Sequence, residues 1–350
     1  MLRLEPRTKF SMRLSRTGST GFAILALLAL LPLAAAWVQA AERVAQAKKE
    51  GLVNLYTSWD RDRSGEMKRL FEKRYAGIQV NIYRATSGVI SSKVSLEAKA
   101  GRHEFDVATP GDLFWKRLYD QGLFARYCSP ERDAYPADVK DESCYWTMPH
   151  LNTHVIIFNA KMVAKNEVPK NNQDLLHPRW KDKLIMSSDD YRWFAYTMDK
   201  MGDAGGVEFM KKLAAQRPHL RAGHTIQLQL LAAGEFPVNV MGYGFQAEQM
   251  RSKGAPLDWT ADEPVTVTGA VLSISNRPPH PEAAKLLVDF LLSQEAQKAM
   301  ARLHSVPSRP DVLADPPRLS KGLKFYPVKP ELTEVMNKRT AEFRAIFNAR

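Results

Sequence analysis

Cysteine is nearly absent: Cys128 and Cys144 are the pair present in 350 residues. Their spacing, with no suitable His pair nearby, does not describe a structural metal site. Low-complexity tracts are missing too, and the composition is that of an ordinary globular protein. Lys and Arg are scattered, with no aromatic-basic stripe and no helix-turn-helix pattern, which argues against nucleic acid as a partner. No nucleophile elbow, paired-carboxylate motif, P-loop or His-Glu-x-x-His helix occurs, so no catalytic centre is legible by motif. His150 and His154 are four apart, but Pro149 to Phe158 reads as a loop entering a strand. That spacing does not put them on one helical face, and they read as surface or core histidines. No apolar run reaches the ~20 residues that a membrane-spanning helix needs.

One shorter apolar run carries a location. Arg3, Arg7, Lys9, Arg13 and Arg16 form a positive stretch before the uncharged segment Gly21 to Ala36. Val38-Gln39-Ala40 then places small residues at the minus-three and minus-one positions of a cut before Ala41. This describes a secretory signal peptide over 1–40, removed from a mature chain that works in the periplasm. No Cys follows the cut, so no lipid anchor is indicated. Loss of five basic and one acidic residues with the leader lowers the formal charge from +12 to +8. A basic balance of that size suits an anionic surface or an acidic ligand. In an oxidising compartment the even cysteine count predicts a Cys128–Cys144 disulfide. Closing a loop of about 15 residues, it would restrict the unfolded chain by ~3 kcal/mol.

Periodicity organises the rest. After a short helical stretch, Ala41 to Glu50, apolar strands begin at Leu52, Ile78 and Phe105. Helical patterns lie between them, around Met67 to Tyr75 and Val94 to Ala100. This rhythm predicts an α/β sheet of mostly parallel strands. Ligands of such sheets sit beyond the carboxyl ends of strands. Three polar turns lie there: Thr57-Ser58, Thr86-Ser87-Gly88 and Thr109-Pro110-Gly111-Asp112. A second unit repeats the plan with strands at Val155 to Asn159, Leu184 to Met186 and Pro237 to Met241. Its strand-end turns carry Asp189-Asp190-Tyr191-Arg192 and Gly242-Tyr243-Gly244. Val265 to Ile274 reads as one long strand, Pro281 opens an amphipathic helix, and a helix from Pro330 to about Phe347 closes the chain.

In order and spacing these pieces resemble type II periplasmic solute-binding proteins of ABC importers, and more narrowly the ferric-ion-binding group and its relatives. The resemblance rests on Leu52 to Ser58, Thr86-Ser87-Gly88, Phe105-Asp106-Val107, Ile157 to Lys161 and Gln229 to Glu235. Its most specific stretches are His280 to Lys285 and Phe290 to Gln297. It implies two lobes, each a mixed, mostly parallel sheet flanked by helices, with ligand in the cleft between them. Lobe 1 would comprise 41–154 and 270–350, and lobe 2 would comprise 155–269. It also implies a monomer that closes over a small ligand and delivers it to a membrane permease, without catalysis. A sensor kinase as partner, or an exported enzyme on the same fold, are the alternatives.

Two ligand chemistries stand side by side. Ferric-binding relatives use a His and a Glu from one lobe and two adjacent Tyr from the other, hard oxygen donors for a hard cation. Here the His position holds Asp60 or Trp59, and the Glu position falls at Pro110 or Gly111. The Tyr pair is reduced to Tyr243. Asp60 and Tyr243, with Tyr191, would have to supply the oxygens of a transported ferric ion; no cofactor is otherwise expected. Against this stands Arg192, whose planar guanidinium grips carboxylate or phosphate in bidentate fashion. Around it Ser58, Ser87, Gly88, Thr109 and Gln227 would bond a small organic or phosphorylated anion, with Trp59 as a flat wall. The competing reading pairs Arg192 with Asp189 or Asp190 on an exposed turn.

Overall fold

The computed structural model describes residues 39–328 and 332–349. Most of the expected signal peptide lies outside the described residues. Helix α1 covers residues 39–50. Strand β1 (Leu52–Thr57) then leads through α2 (Arg61–Arg74) to β2 (Gln79–Arg84), and through α3 (Ser87–Lys99) to β3 (Val107–Thr109). Both β2 and β3 lie parallel to β1. Alternation in Val53, Leu55, Val80 and Val107 puts these side chains into the core. Helix α4 (Asp112–Asp120) and the short β4 (Phe124–Ala125) complete this part. The disulfide joins Cys128 and Cys144, as their count and compartment predict.

The chain then passes into a second sheet along β5 (His150–Asn159). Its further strands are β6 (Leu184–Met186), β7 (His219–Leu220), β8 (Val238–Tyr243) and β9 (Leu257–Thr260). Helices α5 (Tyr191–Met201), α6 (Asp203–Ala215), α7 (His224–Ala233) and α8 (Gly244–Ser252) connect them. The predicted single strand Val265 to Ile274 divides in two. Strand β10 (Val265–Thr268) pairs with β5, whereas β11 (Ser273–Ser275) lies between β3 and β4 in the first sheet. Gly269 stands at the division, where a Cβ would meet Met148 Sδ at 2.3 Å and the His150 carbonyl oxygen at 2.7 Å. These first two passages between sheets bond to each other, Thr147 and Leu272 exchanging N–H···O bonds of 3.2 and 2.9 Å.

Helices α9 (Pro281–Leu292) and α10 (Gln294–Arg302) pack on the first sheet's side, through Phe290 against Phe71. Strands β12 (Val306–Pro307) and β13 (Phe325–Pro327) join the second sheet. The last helix, α11 (Leu332–Phe347), was expected with the first lobe. Its Phe343 and Phe347 instead enter the apolar cluster of Phe194, Phe209 and Val240 in the second. Aromatic side chains of this size go where a complementary apolar surface is open, and α5 presents it. The result is two sheets, each flanked by helices, joined by three passages of the chain, two of which are paired.

Candidate functional site

Strand ends and helix starts of the two lobes meet around Gly111 and Arg192. From the first lobe come Ser87, which opens α3, and Gly111-Asp112, which open α4. Neither N-cap residue, Thr86 or Gly111, makes a side-chain cap bond, which leaves first-turn N–H groups for an anion, although the Leu113 N–H of α4 is taken by Asp112 Oδ1. The Gly111 N–H donates to Ser87 Oγ at 3.0 Å. A Cβ on Gly111 would stand 3.3 Å from both Ser87 Oγ and Arg192 Nη1, so the second lobe's guanidinium reaches this turn.

Arg192 is the second residue of α5, a helix that the sequence pattern did not indicate. Asp190 caps it, Oδ1 accepting from the Trp193 N–H at 3.1 Å. Phe194, Ala195 and Met198 anchor its far side in the core. The competing exposed-turn geometry is therefore absent: Arg192 is half-buried on a fixed helix. Among the described residues its guanidinium has no hydrogen bond or ion pair. Burial opposes its charge, but Tyr243, Tyr196, Asp190 and Asp112 outweigh burial and raise its pKa. Tyr243 ends β8, with its ring edge-on to His154 at 5.2 Å and His224 at 4.7 Å. Burial pushes its phenol up to about 12 despite Arg192, so it remains a neutral donor at physiological pH. His154 is driven down to about 3, chiefly by burial, and is neutral. His224 Nε2 faces Asp190 Oδ2 at 3.5 Å.

The other expected residues have local partners. Ser58 donates to the Thr109 carbonyl oxygen at 2.9 Å, and Thr109 Oγ1 to Thr57 Oγ1 at 2.6 Å; both bonds tie β1 to β3. A Cβ on Gly88 would meet Phe114 at 3.4 Å, where α3 and α4 pack together. Trp59 is buried with its ring edge-on to His150. Asp60 caps α2 and faces the buried Arg63 at 3.6 Å. Tyr191 turns to α11, against Phe343 and under Arg344. Gln227 is buried, donating to the Arg221 carbonyl oxygen and accepting from Asn239. The structure thus gathers Ser87, Arg192 and Tyr243, and it adds Asp112, Tyr196, Asp190, His154 and His224. Tyr196 follows Arg192 by one helical turn, a signal that needs α5 to be recognised first. Among the described residues, no group of three or more His, Cys, Asp or Glu side chains is placed to hold a metal ion.

A two-lobed α/β frame with an unpaired cation in its cleft defines a protein that captures a small solute. The family of bacterial extracellular solute-binding proteins matches residues 106–329, and the chain belongs to it. Members of this kind bind small ligands and deliver them to ABC permeases. A Salmonella typhimurium protein, provisionally named a 2-aminoethylphosphonate-binding periplasmic protein, is 25% identical over 300 residues, 82% of this chain and 85% of its own. Iron-bound HitA from Pseudomonas aeruginosa has the same fold, with a TM-score of 0.75 at 18% identity, over 84% of this chain and 99% of its own. AfuA from Actinobacillus pleuropneumoniae, with exogenous fructose-6-phosphate bound, gives a TM-score of 0.69 at 19% identity, over 85% and 98%.

Proposed function

We propose that the mature chain captures a small organic phosphonate or phosphate in the cleft and hands it to an ABC permease. It works as a monomer in the periplasm, without catalysis, after removal of the leader. One observation carries the choice of ligand: the Arg192 guanidinium, half-buried and aimed at Gly111, has no protein partner among the described residues. A planar, permanently charged fork in such a place suits a tetrahedral anion. Ser87, the N-termini of α3 and α4 and the Tyr243 hydroxyl add donors around it. The provisional name of the Salmonella relative points the same way. Ligand draws the two lobes together, and closure is a shift of an existing equilibrium set by differential affinity.

The iron-bound neighbour keeps ferric ion as the second reading, through Tyr243 and Asp60. Two features weigh against it. A fixed guanidinium beside Tyr243 repels a cation. Asp60 is already turned onto Arg63. The test starts from purified mature protein stripped of bound ligand. Arg192→Ala is expected to weaken phosphonate binding by more than about tenfold in calorimetry. Unchanged affinity would remove Arg192 from the site. A visible tyrosinate-to-iron band on adding ferric citrate, lost in Tyr243→Phe, would replace the anion reading with the ferric one.

A further inference from the structure

We infer that the ligand is a zwitterion whose ammonium group is received by the Asp112 carboxylate, with the Tyr196 hydroxyl beside it. This deepens the anion reading and rests on it. Asp112 is the first residue of α4 and follows Gly111, the turn that Arg192 reaches. It is only 7% exposed. Its Oδ1 accepts from the Leu113 N–H at 2.8 Å, while Oδ2 has no hydrogen-bond partner. Tyr196 is 1% exposed, and its hydroxyl, which makes no short hydrogen bond, faces the Asp112 carboxyl and lowers its pKa. Leu113 and Tyr196 belong to one apolar cluster that spans the two lobes, and the Tyr196 hydroxyl lies beside the Asp112 carboxyl.

Charge balance completes the argument. A buried carboxylate is costly unless it is paired. Burial raises the pKa of Asp112, and Arg192 is the one charged side chain that offsets this. Once an anion neutralises Arg192, Asp112 loses that support. A simple anion would then leave two negative groups facing each other in a dry cleft. A ligand that brings its own cation satisfies both ends at once. Asp190 Oδ2 also lacks a hydrogen-bond partner, but it faces His224 Nε2 at 3.5 Å while Oδ1 caps α5.

Calorimetry on the stripped wild-type protein with 2-aminoethylphosphonate and ethylphosphonate decides the matter without relying on a variant. The amine-bearing compound is expected to bind at least about tenfold more tightly. Asp112→Asn is expected to remove that preference, the ratio of the two affinities falling to about one. Equal affinities for the two compounds, with ethylphosphonate binding lost in Arg192→Ala, would overturn the zwitterion and leave the anion reading standing. No binding of either compound would overturn both.

Discussion

His154 and Arg192 border the same cleft with opposite electrostatic fates. Arg192 keeps its charge although burial opposes it, because the Tyr243 and Tyr196 phenols and the Asp190 and Asp112 carboxylates offset that burial. His154 loses its charge: burial drives its pKa from 6.5 to about 3, and Arg192 and His224 add to this while Asp190 opposes it. Its Nε2 sits 3.1 Å from Thr268 Oγ1, a neutral pairing. Because the folded pKa lies below the unfolded one, the unfolded chain binds more protons between pH 6.5 and about 3. The stability contributed by neutral His154 is therefore complete above pH 6.5 and is lost as the pH falls towards 3. The thermal midpoint of ligand-free protein should drop across this window, and His154→Gln should flatten part of the drop. Burial depresses His150 as well, so some slope will remain in the variant. An unchanged slope in His154→Gln would show that this residue does not titrate on unfolding. At this scale the sequence is legible where a residue type is chemically extreme, as at Arg192. Asp112 is not visible in the same way, since its meaning comes from burial and from a guanidinium 80 positions away.

Helix α5 is the element on which the site turns, and its start is fixed by one side chain. Asp190 accepts from the Trp193 N–H and faces His224. Replacing it with Ala removes a cap worth about 1 kcal/mol. The expected loss is about 2–3 °C in thermal midpoint, with weaker ligand binding because Arg192 is held by the first turn. Calorimetric scanning and titration of Asp190→Ala measure both, and an unchanged midpoint would deny the cap its role. The helix escapes a periodicity reading because Trp193 to Met198 is a continuous buried run that no charged residue interrupts. The same limit explains Val265 to Ile274. Apolar alternation reports that a segment is buried, not that it leaves one sheet for another at Gly269. The early β-α-β rhythm is legible because each strand there is followed by an amphipathic helix and a Gly or polar turn. The docking side of α11 is not, since its aromatic face fits either lobe equally well on pattern alone.

For the whole molecule, function rests on how two sheets are joined. Two of the three passages between them run side by side and bond to each other through Thr147 and Leu272, so neither of these moves alone. Val271 also donates to the Pro110 carbonyl oxygen at 2.8 Å, one residue before the Gly111 turn that meets Arg192. A change of angle at the crossing is thereby coupled to the position of the ligand-facing turn. Gly269 is the tightest point, where any Cβ runs into the His150 backbone oxygen as well as Met148. Met148 has a flexible chain, but the carbonyl moves only if the crossing moves. Gly269→Ala should therefore cost about 1–3 kcal/mol in this arrangement, and far less in a form with the crossing opened. That difference acts as a population shift against this arrangement, in which Arg192 of one lobe reaches Gly111 of the other, and lowers apparent affinity without touching a ligand-contacting group. Small-angle X-ray scattering at saturating ligand should show the wild type compacting while Gly269→Ala stays wider, and calorimetry should show weaker binding in the variant. Equal compaction and equal affinity would mean that the lobes close about some other point.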